Sequence, residues 1–282
     1  MKNRAGITLG LISGFMGAML SGGAFAQEVQ LPQKFKDAGV VNVGIELTYP
    51  PMGYSDPETK KPTGVNIELL HALEAKLGTK FEYVNVSFAQ IVPGLTTGRL
   101  DFHGGSLNDF PFRRDNLSFL DFFKSGPQFF VRDADSKDIQ ALADLCGRSV
   151  GNARYLSVFS DVIKQVSKSE CVDKGKEPIK EITEDLPVQL GLLQKRYDAA
   201  IVTTEALVYA KKLEPNKFRN LGGVVREWRA GMVFSKNSAE LRDAVQAAMN
   251  ALIADGTYSK VLAKYGIADS ALATTSIDAG EL

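Results

Sequence analysis

Short apolar segments alternate with helical repeats along most of this 282-residue chain, and this alternation constrains its fold more than any other feature. The pattern predicts strands at residues 40–46 and 81–86 and from Leu100, with helices at 65–77 and 88–97 between them. It restarts with strands at 149–151, 179–182 and 198–202, each followed by a predicted helix. Such alternation favours parallel sheets with right-handed crossovers. Two units joined by extended crossings predict an α/β fold of two lobes with a cleft between them.

The first residues predict export. Lys2 and Arg4 precede an apolar run at 5–20, and Ala24-Phe25-Ala26 follows as a small-x-small cleavage site. We therefore expect residues 1–26 to be a cleaved signal peptide, leaving a soluble periplasmic protein. A retained membrane anchor is the alternative.

The charge balance and the cysteine content limit the classes of function that this protein can have. Lys plus Arg and Asp plus Glu both number 33, and loss of Lys2 and Arg4 would leave the mature chain slightly acidic. That balance argues against a nucleic-acid partner, which requires clustered positive charge. Cys146 and Cys171 are the only cysteines in the sequence, so export predicts a disulfide between them, with two reduced thiols as the alternative. Neither a metal site nor a cofactor is expected.

Residues 98–114 contain a candidate carboxylate site. A predicted strand at 100–103 leads into Gly104-Gly105-Ser106-Leu107-Asn108, read as a loop of small side chains whose backbone N–H groups can approach a ligand. Arg113 follows, and its guanidinium can bind a carboxylate through two parallel hydrogen bonds. The alternative is an ordinary strand–turn–helix junction with a solvated Arg113-Arg114 pair.

Motifs spread over residues 41–267 resemble, in their order and spacing, the periplasmic solute-binding proteins of polar amino-acid ABC transporters. They are YPPM (49–52), GVNIELL (64–70), FAQIVPGL (88–95), GRLD (98–101), Arg113, FLDFF (119–123), GRSVG (147–151), YDAAI (197–201), GTY (256–258) and KYGI (264–267). The resemblance implies two α/β lobes joined by two hinge strands. It places lobe 1 at residues 27–126 plus 230–282 and lobe 2 at 127–229. The small, polar end of the chain, 267–282, is expected to be a flexible tail.

The resemblance also implies roles for individual residues. Arg113 stands where the family holds the ligand's α-carboxylate, with Gly105, Ser106 and Asn108 beside it and Ser157 contributing from lobe 2. Tyr49 and Phe88 match aromatic residues that enclose the ligand side chain. Glu46 matches an acidic position that pairs with basic side chains.

One position departs from the family. The carboxylate that usually binds the α-ammonium should fall five residues after Asp198, where this chain has Thr203. A hydroxyl cannot neutralise a buried ammonium, and an unpaired buried charge is costly. Glu205 is a possible substitute, and a carboxylate ligand with a modified or missing amine is the other possibility.

The sequence therefore predicts a monomeric, non-enzymatic binding component that delivers a polar or basic amino acid, or a derivative, to an inner-membrane ABC permease. Two alternatives remain at this point. One is a dehydratase-like enzyme on the same scaffold, with Glu205 or Glu46 as general acid. The other is a binding protein that serves a periplasmic dehydrogenase or a sensor.

Overall fold

The computed structural model describes residues 30–154, 156–185 and 187–280, so the predicted signal peptide at 1–26 lies outside it. The helices in these residues are α1 (Gln33–Ala38), α2 (Val65–Leu77), α3 (Phe88–Thr96), α4 (Ser157–Glu170), α5 (Val188–Leu193), α6 (Thr204–Leu213), α7 (Ala239–Ala254) and α8 (Thr257–Lys264). The strands are β1 (Val40–Ile45), β2 (Thr48–Tyr49), β3 (Gly53–Ser55), β4 (Pro62–Thr63), β5 (Lys80–Asn85), β6 (Phe102–Asn108), β7 (Leu117–Ser125), β8 (Pro127–Arg132), β9 (Ser149–Ala153), β10 (Lys180–Glu184), β11 (Ala199–Thr203), β12 (Phe218–Asn220), β13 (Trp228–Ser235) and β14 (Ala271–Ile277).

The strands form two main sheets. One has six strands in the order β14-β7-β13-β6-β1-β5, with β1 parallel to both β5 and β6. The other has five strands in the order β10-β9-β11-β8-β12, with β9 parallel to β10 and β11. A small sheet, β2-β3-β4, is formed by the segment before α2. Parallel strands with intervening helices confirm the predicted α/β class.

The chain passes between the two main sheets twice. The first crossing is at Gly126, between β7 and β8, and the return lies between β12 and β13. These crossings pack directly on each other, because a Cβ atom on Gly126 would lie 2.3 Å from the carbonyl oxygen of Arg226 and 2.4 Å from Val224 Cγ1. Any side chain at position 126 would therefore separate them.

Helix α2 shows how the sequence specifies one of these elements. Ile67, Leu70 and Leu73 recur at helical spacing and are all buried in the core beside the six-stranded sheet. Gly78 ends the helix in a left-handed conformation, and its N–H donates to the carbonyl of Glu74. The prediction for residues 65–77 is thereby confirmed.

Two local predictions were wrong. The segment 104–108 is not a loop, since it continues strand β6 and pairs with β13, with Asn108 opposite Ala230. Glycine is required within this strand, because a Cβ atom on Gly104 would lie 2.7 Å from Leu70 Cδ1 and 2.8 Å from Val43 Cγ1. Small residues that indicated a loop therefore serve close packing between the sheet and α2.

The second wrong prediction is the flexible tail at 267–282. Residues 271–277 form β14, which pairs antiparallel with β7 at the edge of the six-stranded sheet. The segment is held by polar contacts that an apolar pattern does not reveal: Phe119 N–H donates to Asp278 Oδ1 over 2.7 Å, and Ala279 N–H to Asp121 Oδ2 over 3.1 Å. Residues 281 and 282 lie outside the described part of the chain.

Cys146 and Cys171 form the predicted disulfide, with their Cα atoms 5.4 Å apart. The bond joins the segment before β9 to the C-terminal end of α4.

Among the described residues, none of the helices is both long and apolar enough to cross a membrane. The same residues contain no cluster of three or more His, Cys, Asp or Glu side chains with the geometry of a metal site.

Candidate ligand-binding site

Residues predicted to contact ligand lie at or beyond the carboxyl ends of strands in both sheets. From the six-stranded sheet, Glu46 follows β1, Phe88 begins α3 after β5, and Asn108 ends β6. From the five-stranded sheet, Thr203 ends β11, and Ser157 begins α4 after β9. Ligands of parallel α/β sheets bind at this end of the strands.

Arg113 is held by aromatic rings rather than by an acid. Its guanidinium carbon lies 5.2–5.6 Å from the ring centroids of Phe88, Phe110 and Phe112. Its Nη1 donates to the carbonyl of Asn108 over 2.8 Å. Arg113 is half-buried, and burial lowers the pKa of its guanidinium to about 10, with the charge of Asp109 acting in the opposite direction. Within the described parts of the chain, no Asp or Glu oxygen lies within salt-bridge distance of Arg113.

The adjacent Arg114, unlike Arg113, is paired with an acidic residue. Its Nε and Nη2 donate to the two carboxylate oxygens of Asp109, over 2.6 and 2.8 Å. The hydrogen bond to Asp109 raises the pKa of Arg114, because it stabilises the charged form. Of these two consecutive arginines, Arg114 is therefore paired with an acid, whereas Arg113 has no acidic partner among the described residues.

Ser106 and Gly105 lie in strand β6. The Ser106 hydroxyl donates to Oδ1 of Asn66, a buried residue at the start of α2, over 2.7 Å. Gly105 lies against His103, since a Cβ atom there would be 2.3 Å from His103 Nε2. Burial lowers the pKa of His103 to about 4, so it is a neutral packing residue at physiological pH.

Tyr49, Thr203 and Glu205 form one hydrogen-bond network between the two sheets. The Tyr49 hydroxyl lies 2.8 Å from Thr203 Oγ1 and donates to Glu205 Oε1. Thr203 also caps α6, accepting from the N–H of Ala206 over 3.4 Å. Glu205 is completely buried, and it accepts from the Ser125 hydroxyl over 2.9 Å. Burial raises the pKa of Glu205, while the hydrogen bonds from Tyr49 and Ser125 act against that shift.

Glu46, Phe88 and Ser157 are more accessible. Glu46 is half-buried and accepts from the Thr48 hydroxyl over 2.8 Å, and burial raises the pKa of its carboxylate more than that bond lowers it. Phe88 is 49% exposed although it contacts Arg113. Ser157 is exposed at the first position of α4.

Comparison with known proteins identifies the family. A sequence model of the bacterial extracellular solute-binding proteins, family 3, matches residues 41–268. The chain belongs to this family. Its residues outside that match are 1–40 and 269–282, and the second of these segments includes β14.

Individual relatives of this solute-binding protein are distant but match over most of their length. The arginine-binding protein ArgT of Corynebacterium glutamicum is 26% identical over 250 residues, covering 87% of this chain and 80% of that protein. The L-cystine-binding protein TcyA of Bacillus subtilis is 26% identical over 241 residues, covering 85% and 86%. Among solved structures, an ancestral arginine-binding protein bound to arginine superimposes with a TM-score of 0.65 at 28% identity, covering 81% of this chain and 98% of that one.

Sequence reasoning missed three residues of the candidate site. Phe110 and Phe112 supply two of the rings around Arg113, and Asn66 fixes the Ser106 hydroxyl. The spacing F-x-F-R carries the signal for the rings, because arginine stacks readily on aromatic faces. The contact between Ser106 and Asn66 spans 40 residues of sequence, so no local sequence pattern predicts it.

Removal of the Tyr49 hydroxyl should open the ligand-free protein. Tyr49 falls in the predicted lobe 1 and bonds to Thr203 and Glu205 at the start of α6, in the predicted lobe 2, so we expect its hydroxyl to hold these two lobes together. Two hydrogen bonds of about 1 kcal/mol each would change the ratio of closed to open protein by roughly thirtyfold. Tyr49→Phe should therefore increase the radius of gyration measured by small-angle X-ray scattering.

Tyr83→Phe is the control, because that hydroxyl donates to Glu74 within the same lobe, over 2.9 Å. Equal radii of gyration for the parent and Tyr49→Phe proteins would contradict the closing role of Tyr49.

Proposed function

We propose that this protein is the substrate-binding component of an ABC importer and binds a polar or basic amino acid, or a derivative, in the cleft between its lobes. The observation that carries this is Arg113, a half-buried cation without an acidic partner among the described residues. A buried charge requires a counter-charge, and a ligand carboxylate supplies one with matching bidentate geometry. The arginine- and cystine-binding relatives support the same ligand class.

The two crossings between the main sheets support a division into two lobes. We assign residues 27–126 plus 230–282 to lobe 1 and 127–229 to lobe 2, with the hinge at Gly126 and at the return segment 221–229. Closure about such a hinge encloses the ligand, and the closed form is then recognised by an inner-membrane permease. In the exported, periplasmic protein this cycle requires only a monomer and no cofactor.

The site residues divide by the part of the ligand that they contact. Arg113, with Gly105, Ser106 and Asn108 from β6 and Ser157 from lobe 2, binds the carboxylate. Tyr49 and Phe88 enclose the side chain, and Glu46 attracts its positive charge. Thr203 and Glu205, which both bond to the Tyr49 hydroxyl, are assigned to the α-nitrogen of the ligand. A catalytic role for Glu205 is disfavoured because its carboxylate is fully buried and already accepts hydrogen bonds from Tyr49 and Ser125.

A thermal-shift panel built on one scaffold tests this assignment. L-arginine carries both the α-carboxylate and the α-ammonium. Agmatine lacks the carboxylate, 5-guanidinopentanoate lacks the α-ammonium, and N-acetyl-L-arginine has its α-nitrogen acylated and uncharged. L-lysine, L-glutamine and L-cystine extend the panel to other side chains. A ligand at a hundredfold excess over its dissociation constant stabilises the native state by about 2.7 kcal/mol, which such an assay detects.

We expect stabilisation by carboxylate-bearing members and none by agmatine. The ammonium-free members decide how the α-nitrogen is recognised, because they should bind as well as L-arginine only if neither Thr203 nor Glu205 contacts a charged amine. The proposal would be overturned if agmatine stabilised the protein as much as L-arginine does. It would also be overturned if no member of the panel stabilised the protein.

A further inference from the structure

The last described residues, 271–280, form an extension beyond the family match, here called the C-terminal strap. Its strand β14 pairs with β7, placing Ser276 opposite Asp121 and Ile277 opposite Leu120. Because the family match ends at residue 268, the strap is a feature of this chain rather than of the matched family region.

Gly280 places the end of the strap between Asp109, which follows β6, and Arg229 of β13. Its N–H donates to Asp109 Oδ2 over 2.8 Å, and its carbonyl accepts from the N–H of Arg229 over 2.6 Å. Arg229 lies at the start of β13, where the chain returns from lobe 2, and its own carbonyl accepts from the N–H of Asp109 over 3.0 Å. The strap thus joins the return crossing to the residue that follows β6.

Asp109 also fixes the turn that carries Arg113. Residues Pro111–Arg113 form one 3-10 turn, and the Asp109–Arg114 ion pair closes the loop around it. Arg113 N–H donates to the carbonyl of Phe110 and Arg114 N–H to that of Pro111. Asp109 is completely buried, so its carboxylate depends on Arg114 and Gly280 for hydrogen bonds.

Only glycine fits at the end of the strap. Gly280 has φ +43°, and a Cβ atom there would lie 2.0 Å from Arg114 Nη2 and 2.7 Å from the carbonyl oxygen of Asp109. A side chain at this position would therefore displace either the strap or the ion pair beneath it.

We propose that the C-terminal strap is a positioning element of the ligand site, which holds the Asp109–Arg114 pair and thereby the turn that presents Arg113 to a ligand carboxylate. This inference rests on the proposed function. A binding group held in its bound geometry before the ligand arrives loses less conformational entropy on binding. Docking of the strap therefore increases the affinity of the site without contacting the ligand.

Gly280→Ala tests the proposal, with Gly256→Ala as the matched control. Gly256 is also left-handed, at φ +80°, but a Cβ atom there would meet nothing within 4 Å. Hydrogen exchange measured without ligand should be at least tenfold faster for the amides of 110–114 in Gly280→Ala than in Gly256→Ala, while exchange in α4 stays unchanged. Isothermal titration with L-arginine should show about tenfold weaker binding for Gly280→Ala alone.

A double variant separates positioning from a general loss of stability. In an Arg114→Ala background the ion pair is already broken, so Gly280→Ala should cause no further acceleration of exchange at 110–114. Equal exchange of these amides in the two single glycine variants would overturn the role of the strap. Failure of the parent protein to bind any carboxylate in the panel would instead overturn the proposed function, because the exchange experiment requires no ligand.

Discussion

Replacement of Arg113 by alanine should weaken binding of the ligand identified by the panel at least a hundredfold. The ligand carboxylate would lose a charge-assisted pair of hydrogen bonds while remaining desolvated in the cleft, which costs about 3 kcal/mol. Arg113→Lys should recover only part of the affinity, because an ammonium cannot reproduce the planar fork. Isothermal titration calorimetry of the three proteins measures both effects.

Arg114→Ala removes the same side chain one residue later and is compared with Arg113→Ala, because it disturbs only the turn that presents Arg113 and should weaken binding about tenfold rather than a hundredfold. Its loss leaves the buried carboxylate of Asp109 without its cationic partner, so the free energy of unfolding should fall by about 3 kcal/mol. Arg113→Ala should destabilise the protein less, because it breaks no ion pair among the described residues. Near-normal affinity in Arg113→Ala would contradict the assignment of the carboxylate site.

Elements defined by local patterns could be predicted from the sequence. Helix α2 has a regular apolar face and a glycine that stops it, and both signals lie within the segment itself. The predicted order of strands and helices likewise agrees with the structure in the parallel parts of both sheets. Where an element is specified by its own residues, the prediction and the structure agree.

Elements specified by distant contacts were not predictable in this way. The glycines of β6 indicated a loop. In the structure, glycine is required at position 104 because Leu70 and Val43 leave no room there for a Cβ atom. The strap is polar and was expected to be flexible, but its Asp278 carboxylate accepts from the Phe119 N–H and its Ala279 N–H donates to Asp121, hydrogen bonds that span 159 and 158 residues. The partners of Glu205 are also remote, since Ser125 lies 80 residues and Tyr49 156 residues before it. Such pairings become visible only when the chain is folded.

The disulfide should supply a large part of the stability of lobe 2. Cys146 and Cys171 are 25 residues apart and enclose β9 and α4, which carries Ser157 at its first position. Closing a loop of this length restricts the unfolded chain and stabilises the native state by about 3–4 kcal/mol on the chain-entropy model. Urea denaturation should therefore show a loss of that size when the parent protein is reduced.

The double variant Cys146→Ser, Cys171→Ser should match the reduced parent and be insensitive to reductant, which separates the loss of the bond from other effects of the reagent. Cys171 is completely buried at the end of α4, so a free thiol or hydroxyl there would gain no compensating contact with water. Ser157 at the start of α4 is one of the proposed ligand contacts, so a loosened α4 should also weaken ligand binding, by less than Arg113→Ala does. Equal unfolding free energies for the oxidised and reduced parent would show that the fold of lobe 2 does not depend on the bond.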